Sequence, residues 1–277
     1  MKTAVSILLL IFSFIVISCN KPTWQKTENN IRYQIFTNDT NKPKPIVGDH
    51  IWMHLRKYSP DKKELFNTAI FETENGVELD LKNPEQLSDV ISFFNKLGIG
   101  DSAYIQIPKH LLDSTQPSKK YYGYSLKLLN FKPKAIYEEE QKIAYNLQII
   151  KDSADIADYI QQNNKYLFMQ DGYGNWYSRT LAKNGIHIQP NSNIKIHDIG
   201  KLLIGLEFDN SYEREKELDF IVGQKQVIEG LDKGIQNFFL GDKGILIIPS
   251  RLAYGNKSVG KIPTNSVLIF ELEVLPN

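Results

Sequence analysis

Cys19 carries the plainest chemistry in this 277-residue chain, which has no other cysteine. It closes the stretch MKTAVSILLLIFSFIVISC, where Lys2 precedes an apolar run and small Ser18 stands just before the thiol. Length and flanks are those of an export signal, too short for a comfortable membrane span. The residues VISC read as a lipobox, so the expectation is cleavage before Cys19 and acylation of its sulfur and new amino group; an uncleaved anchor or an ordinary signal peptide are the alternatives. Acyl chains contribute ~0.8 kcal/mol per buried CH₂, so two or more would hold the protein on a bilayer. One cysteine makes no internal disulfide and no cysteine-based metal site. His50 and His54 stand four apart in HIWMH, a metal-binding spacing on a helix. The alternation around them says strand, which sets them about 13 Å apart on one face, so no metal and no cofactor is expected. The 33 Lys+Arg against 32 Asp+Glu form no long basic stripe, which argues against a nucleic-acid partner.

The remaining candidates lie in the last eighty residues, an apolar and aromatic set punctuated by Gly, Pro and Tyr. Its order is a strand (KIHDIG), a Phe-Asp pair (Phe208, Asp209), a strand, a short amphipathic helix, a strand ending in Pro249, a loop and a last strand. Upstream, IRYQIF, HIWMHLRKY, AYIQIP and YYGYSLKLLNF read as strands. A helix is expected from Pro84 to Gly98, with Leu87, Val90, Ile91, Phe94 and Leu97 at helical spacing. The two halves repeat: GDSAYIQIPKHL at 100–111 aligns without a gap on GDKGILIIPSRL at 241–252, and YSLKLL on FELEVL sets Tyr124 against Phe270. The order implied is a signal over 1–18, a tether over 19–30, a first domain over 31–134, a linker of one long or two short helices over 135–164, and a second domain over 165–277.

The second segment resembles the FKBP family of peptidyl-prolyl isomerases. EFDNS fits the family's FDSS turn, Val227-Ile228 in GQKQVIEGL its Val-Ile pair, Tyr254 in AYG its pocket tyrosine, Ile262 its flap aliphatic, and Phe270 the aromatic of its last strand. The resemblance implies an α+β fold: two FKBP-like domains, each a bent antiparallel sheet around a short helix, joined by a helical linker. It also implies an apolar pocket with Phe208, Asp209, Ile228, Tyr254 and Phe270 as catalytic residues. Asp198, Leu218, Val227, Leu231 and Ile262 would bind substrate. Asp209 would position Tyr254 or its neighbours. Two positions depart from the pattern: Leu231 replaces a common Trp, and Asp198 replaces the Tyr after the strand's His, where an ionised carboxylate is costly unless paired. That segment is either bulged or shifted, or Asp198 lies at the rim. The first domain lacks AYG, and its ELFNT keeps Phe66 while losing the Asp; it is expected to be non-catalytic, a spacer, dimerisation surface or client-binding module. The implied partners are proline-containing unfolded or nascent envelope proteins, with the membrane reached through Cys19 and a homodimer open. A catalytically inactive client-binding scaffold is the alternative.

Overall fold

In this computed structural model the described residues are 23–27, 30–36, 41–68, 76–81, 93–112 and 120–276. Cys19, the expected leader, and Leu87, Val90 and Ile91 of the expected first-domain helix lie outside them. The chain divides into two compact units, Met1–Glu139 and Glu140–Asn277. Each holds one antiparallel sheet of seven strands. Among the described residues no helix is long and apolar enough to cross a membrane.

In the first unit the strands are β1 (Gln25–Lys26), β2 (Arg32–Phe36), β3 (Asp49–Tyr58), β4 (Glu64–Asn67), β5 (Val77–Asp80), β6 (Ser102–Pro108) and β7 (Tyr121–Pro133). Their spatial order is β1-β2-β6-β7-β3-β4, with β5 also on β3. A short helix, α1 (Lys109–Leu112), follows β6. Gln25 and Lys26, within the expected tether, pair with Tyr33 and Arg32 as an edge strand.

One helix, α2 (Lys134–Gln162), follows Pro133. No Gly or Pro interrupts its 29 residues, and Glu, Gln, Ala, Lys and Ile are compatible with a continuous helix, which resolves the choice between one helix and two.

The second unit holds β8 (Met169–Gln170), β9 (Trp176–Leu181), β10 (Asn193–Leu202), β11 (Glu207–Asn210) and β12 (Leu218–Ile221). Helix α3 (Glu229–Gly234) follows, running into a 3₁₀ turn at Ile235–Asn237, then β13 (Lys243–Ile248) and β14 (Leu268–Val274). The order β8-β9-β13-β14-β10-β11, with β12 also on β10, is that of the first unit strand for strand.

The registers repeat as well. Ile105 faces Tyr124 as Leu246 faces Phe270. Asp101 and Asp242 accept the N–H three residues earlier, Gly98 and Phe239, each at 2.9 Å. Gly48 and Asn191 take the same left-handed turn, φ 96° and 69°, before β3 and β10. Local chemistry this specific, at matched positions of matched strands, establishes the repeat as structural.

Alternation decides which strand face is buried. Along β10, Ile194, Ile196, Asp198, Gly200 and Leu202 are buried, and the residues between them are exposed or half-buried. Ile194, Ile196 and Leu202 join Phe220, Leu231, Ile235, Phe238, Leu246 and Leu272 in the core beneath α3.

Candidate functional site

The site is built where β10 bends. Between Gly200 and Lys201 the pairing with β11 slips, so that Gly200 faces Asp209 and Lys201 faces Glu207. Phe208 is the extra residue of that bulge, which frees its side chain to turn onto the core. It packs against Gly200, where an added Cβ would lie 2.5 Å from Phe208 Cε2, so only glycine fits beneath the ring. Gly200 also faces Phe270 on β14. The Phe208 and Phe270 rings meet edge to face, 5.8 Å apart at 81°.

Helix α3 supplies the floor. Its Leu231 is buried, Ile262 and Phe270 are buried alongside, and Phe208, Leu218, Val227, Ile228 and Tyr254 pack half-buried against the same cluster. Every apolar residue expected at the site therefore converges on one cluster. Ile228 precedes α3 with extended backbone (φ −58°, ψ 147°), and its C=O accepts the Asp232 N–H at 3.0 Å. Among the described residues nothing accepts the Ile228 N–H or bonds the Tyr254 hydroxyl, so both are free to meet a ligand.

The charged residues are arranged differently from expectation. Asp209 forms an ion pair with Arg214, and its carboxylate also accepts the Asn210 N–H. Tyr254 is not among its partners. Asp198 is neither shifted nor at the rim: it pairs in register with Leu272 and is 0% exposed. Both carboxylate oxygens are buried without a hydrogen bond. The nearest cation is Arg214, 3.7 Å away and shared with Asp209. Burial pushes the Asp198 carboxyl above its ordinary range, and the charges of Arg214 and His197 offset this in part.

Behind Asp198 the backbone is well held. Ser211 Oγ accepts the Asp198 N–H at 2.7 Å and donates to the Asp198 C=O at 3.1 Å. Tyr212 stacks on His197 and donates to Glu273 at 2.8 Å; burial and that bond push its hydroxyl up to about 12. Arg214, Ser211 and Gly200 were not singled out from sequence, where an Arg five residues after Asp209 reads only as loop charge.

In the first unit the equivalent positions carry other residues. Lys57 faces Phe66 as Gly200 faces Asp209, so Phe66 stands in the aspartate's place and Leu65 in that of Phe208. This corrects the expectation that Phe66 keeps the aromatic position; the bulge lies one residue earlier than the Phe suggests. Leu55 replaces Asp198, and Tyr124 replaces Phe270. A mainly apolar cavity of about 720 Å³ on this sheet is lined by Met53, Leu55, Ile105, Tyr124 and Leu126 among others. His50 is 2.7 Å from Asp80 and stacks on Tyr137, tying the start of α2 to β3. Among the described residues no cluster of three or more His, Cys, Asp or Glu could hold a metal.

Residues 185–275 match the family described as FKBP-type peptidyl-prolyl cis-trans isomerase. FK506-binding protein 1A of Neurospora crassa is 49% identical over 84 residues, 30% of this chain and 70% of that protein. FK506-binding protein 2 of Debaryomyces hansenii is 42% identical over 87 residues, 31% of this chain and 64% of the relative. The isomerase FkpA of Buchnera aphidicola is 40% identical over 99 residues, 36% of this chain and 40% of the relative. Among solved structures, AtFKBP13 gives 34% identity and a TM-score of 0.39, over 40% of this chain and 98% of that one. FkpA from Escherichia coli gives 29% and 0.39, over 51% and 68%. With the bulge, the paired phenylalanines and the Val-Ile lead into α3 all on the matched segment, the chain belongs to the FKBP-type peptidyl-prolyl cis-trans isomerase family.

Proposed function

We propose that the second unit catalyses cis-trans isomerisation of X-Pro bonds in proteins of the cell envelope. The observation that carries this reading is the convergence of Phe208, Val227, Leu231 and Phe270 on one apolar cluster beside the unengaged Ile228 N–H and Tyr254 hydroxyl. The reaction needs neither nucleophile nor metal. An X-Pro bond is held by amide resonance behind a barrier of about 18–20 kcal/mol. Uncatalysed turnover takes tens to hundreds of seconds. Twisting the bond withdraws charge from the carbonyl oxygen and leaves a less polar, pyramidal nitrogen. An apolar site favours that twisted state over the planar polar one, which is differential binding of the transition state. Phe208, Val227, Leu231 and Phe270 hold the proline ring, with Leu218 and Ile262 at the margins. The Ile228 N–H and Tyr254 hydroxyl bond the substrate backbone. Asp209 acts through Arg214, fixing the β11 turn that carries Phe208.

The test is a proline-isomerisation assay on residues 20–277, using a peptide with Leu or Phe before the proline. The parent accelerates isomerisation, Phe208→Ala lowers kcat/KM about tenfold or more, and Tyr254→Phe has a smaller effect. A folded parent without acceleration ends the enzyme reading. It would leave an inactive client-binding scaffold, the reading that Asp198 favours by putting a buried carboxyl without a hydrogen bond on the core face of β10. The envelope location rests on the leader and Cys19: intact-mass measurement of membrane-extracted protein finds acyl chains on Cys19, and Cys19→Ser releases the protein from the membrane.

A further inference from the structure

Helix α2 is apolar on two opposite faces. One packs on the second unit: Ile156 joins Ile245, Ile247, Val267 and Ile269, and buried Asp152 accepts the Ser250 N–H at 2.8 Å. The other carries Ile143, Leu147, Ile150, Ala154 and Ala157, all exposed. At 3.6 residues per turn these fall within a stripe roughly 80° wide, opposite Asp152. Ile143 is 50% exposed, Leu147 60% and Ile150 66%. A helix covering a single core needs one apolar face. The second face here has the four-three alternation of a coiled-coil seam, narrower than a core-facing surface.

We infer that this stripe is a homodimer seam, joining α2 of one copy to α2 of a second in antiparallel orientation. Such a seam needs a partner helix of comparable length and matching period, which α2 of a second copy supplies. Charge selects the orientation. The seam position one turn before Ile143 is Glu140, and parallel pairing sets it against its own copy. Antiparallel pairing, with the two-fold axis between Leu147 and Ile150, sets Glu140 against the partner's Ala157. It also sets Leu147 against the partner's Ile150 and Ile143 against the partner's Ala154. At the flanks Lys151 meets the partner's Ala144 and Ser153 the partner's Asn146, so no like charges meet near the axis. The stripe from 143 to 157 is about 21 Å long. It covers less than the ~800 Å² per partner of a standard stable interface, so the association is reversible.

Sedimentation equilibrium on residues 20–277, which hold every described residue, shows a monomer–dimer equilibrium in the micromolar range. Leu147→Asp with Ile150→Asp weakens it about tenfold or more at unchanged circular dichroism. Because this segment has no cysteine, Leu147→Cys and Ile150→Cys can be prepared separately and oxidised together. The mixed 147–150 disulfide then forms in excess over either self-link. A monomer at several hundred micromolar overturns the inference, as does a 147–147 link formed at least as fast. A monomer whose Leu147→Cys thiol resists labelling would also overturn it, by showing that the chain covers its own stripe.

Discussion

At the scale of single residues, the site turns on one buried carboxyl. Asp198 occupies a position on the core face of β10 where its neighbours are Ile196 and Gly200, and nothing hydrogen-bonds its carboxyl. An unsatisfied buried polar group costs about 1–3 kcal/mol, so Asp198→Leu raises stability by that order in urea titration. Arg214 keeps its partner Asp209 in that variant. The pH dependence has a definite sign. A carboxyl whose folded value is raised binds its proton more readily in the native state than in the unfolded chain. Its penalty is therefore absent at low pH, grows as pH rises through the window between the unfolded and folded values, and is constant above it. The stability gap between Asp198→Asn and the parent widens over that window and then levels off. Asp80 and Glu273, both held low by Lys and hydrogen-bond partners, act in the opposite direction, losing stability as pH falls, but they cancel in the comparison. A gap that is flat with pH would mean that Asp198 titrates alike in both states. The same residue separates the enzyme from the scaffold reading: if Asp198→Tyr raises turnover, the aspartate weakens a working site.

At the scale of elements, the two sheets use the same solution with different side chains. Ser211 Oγ takes the Asp198 N–H at 2.7 Å, and Thr68 Oγ1 takes the Leu55 N–H at 2.8 Å at the matched place in the first unit. Both hydroxyls are buried, so Ser211→Ala orphans a backbone donor and costs about 1–3 kcal/mol. Ser211→Thr costs much less, because the first unit already accommodates threonine there; equal losses in thermal melts would break the equivalence. This pairing shows what sequence makes readable. Strand alternation, the Gly-Asp turn before β6 and β13 and the Pro at the end of β6 are local, so the repeat and the succession of its elements along the chain can be read directly. The apolar site was legible through the family resemblance, because its members stand at the family's motif positions; without that pattern Phe208 and Phe270 read as ordinary core. The bulge was not: Phe66 looks like the counterpart of Phe208 until pairing shows that Leu65 is the displaced residue. Arg214 was also invisible, since its meaning comes from Asp198 and Asp209 meeting it across two strands. Long-range pairing decides both, and one-residue slips move side chains between faces.

At the scale of the whole molecule, each unit closes its own core. Ile51, Leu97, Ile105 and Leu128 belong to the first, and Ile196, Leu231, Leu246 and Phe270 to the second. No residue proposed for turnover comes from the first unit. Breaking the first core should therefore leave the chemistry intact. Leu128 is fully buried on β7, and placing a charge there leaves an unpaired carboxylate in an apolar interior. In calorimetry of residues 20–277, Leu128→Asp shifts or removes one thermal transition and keeps the other. Isomerisation of a short peptide, which needs only the second unit's pocket, proceeds at the parent rate. Refolding of a long proline-limited client is the more demanding readout: a client held by the first unit refolds more slowly in the presence of the variant, although peptide turnover is unchanged. Loss of peptide turnover together with the first transition would show that the second unit depends on the first for its fold. Unchanged rates on both substrates would leave the first unit the role of a spacer.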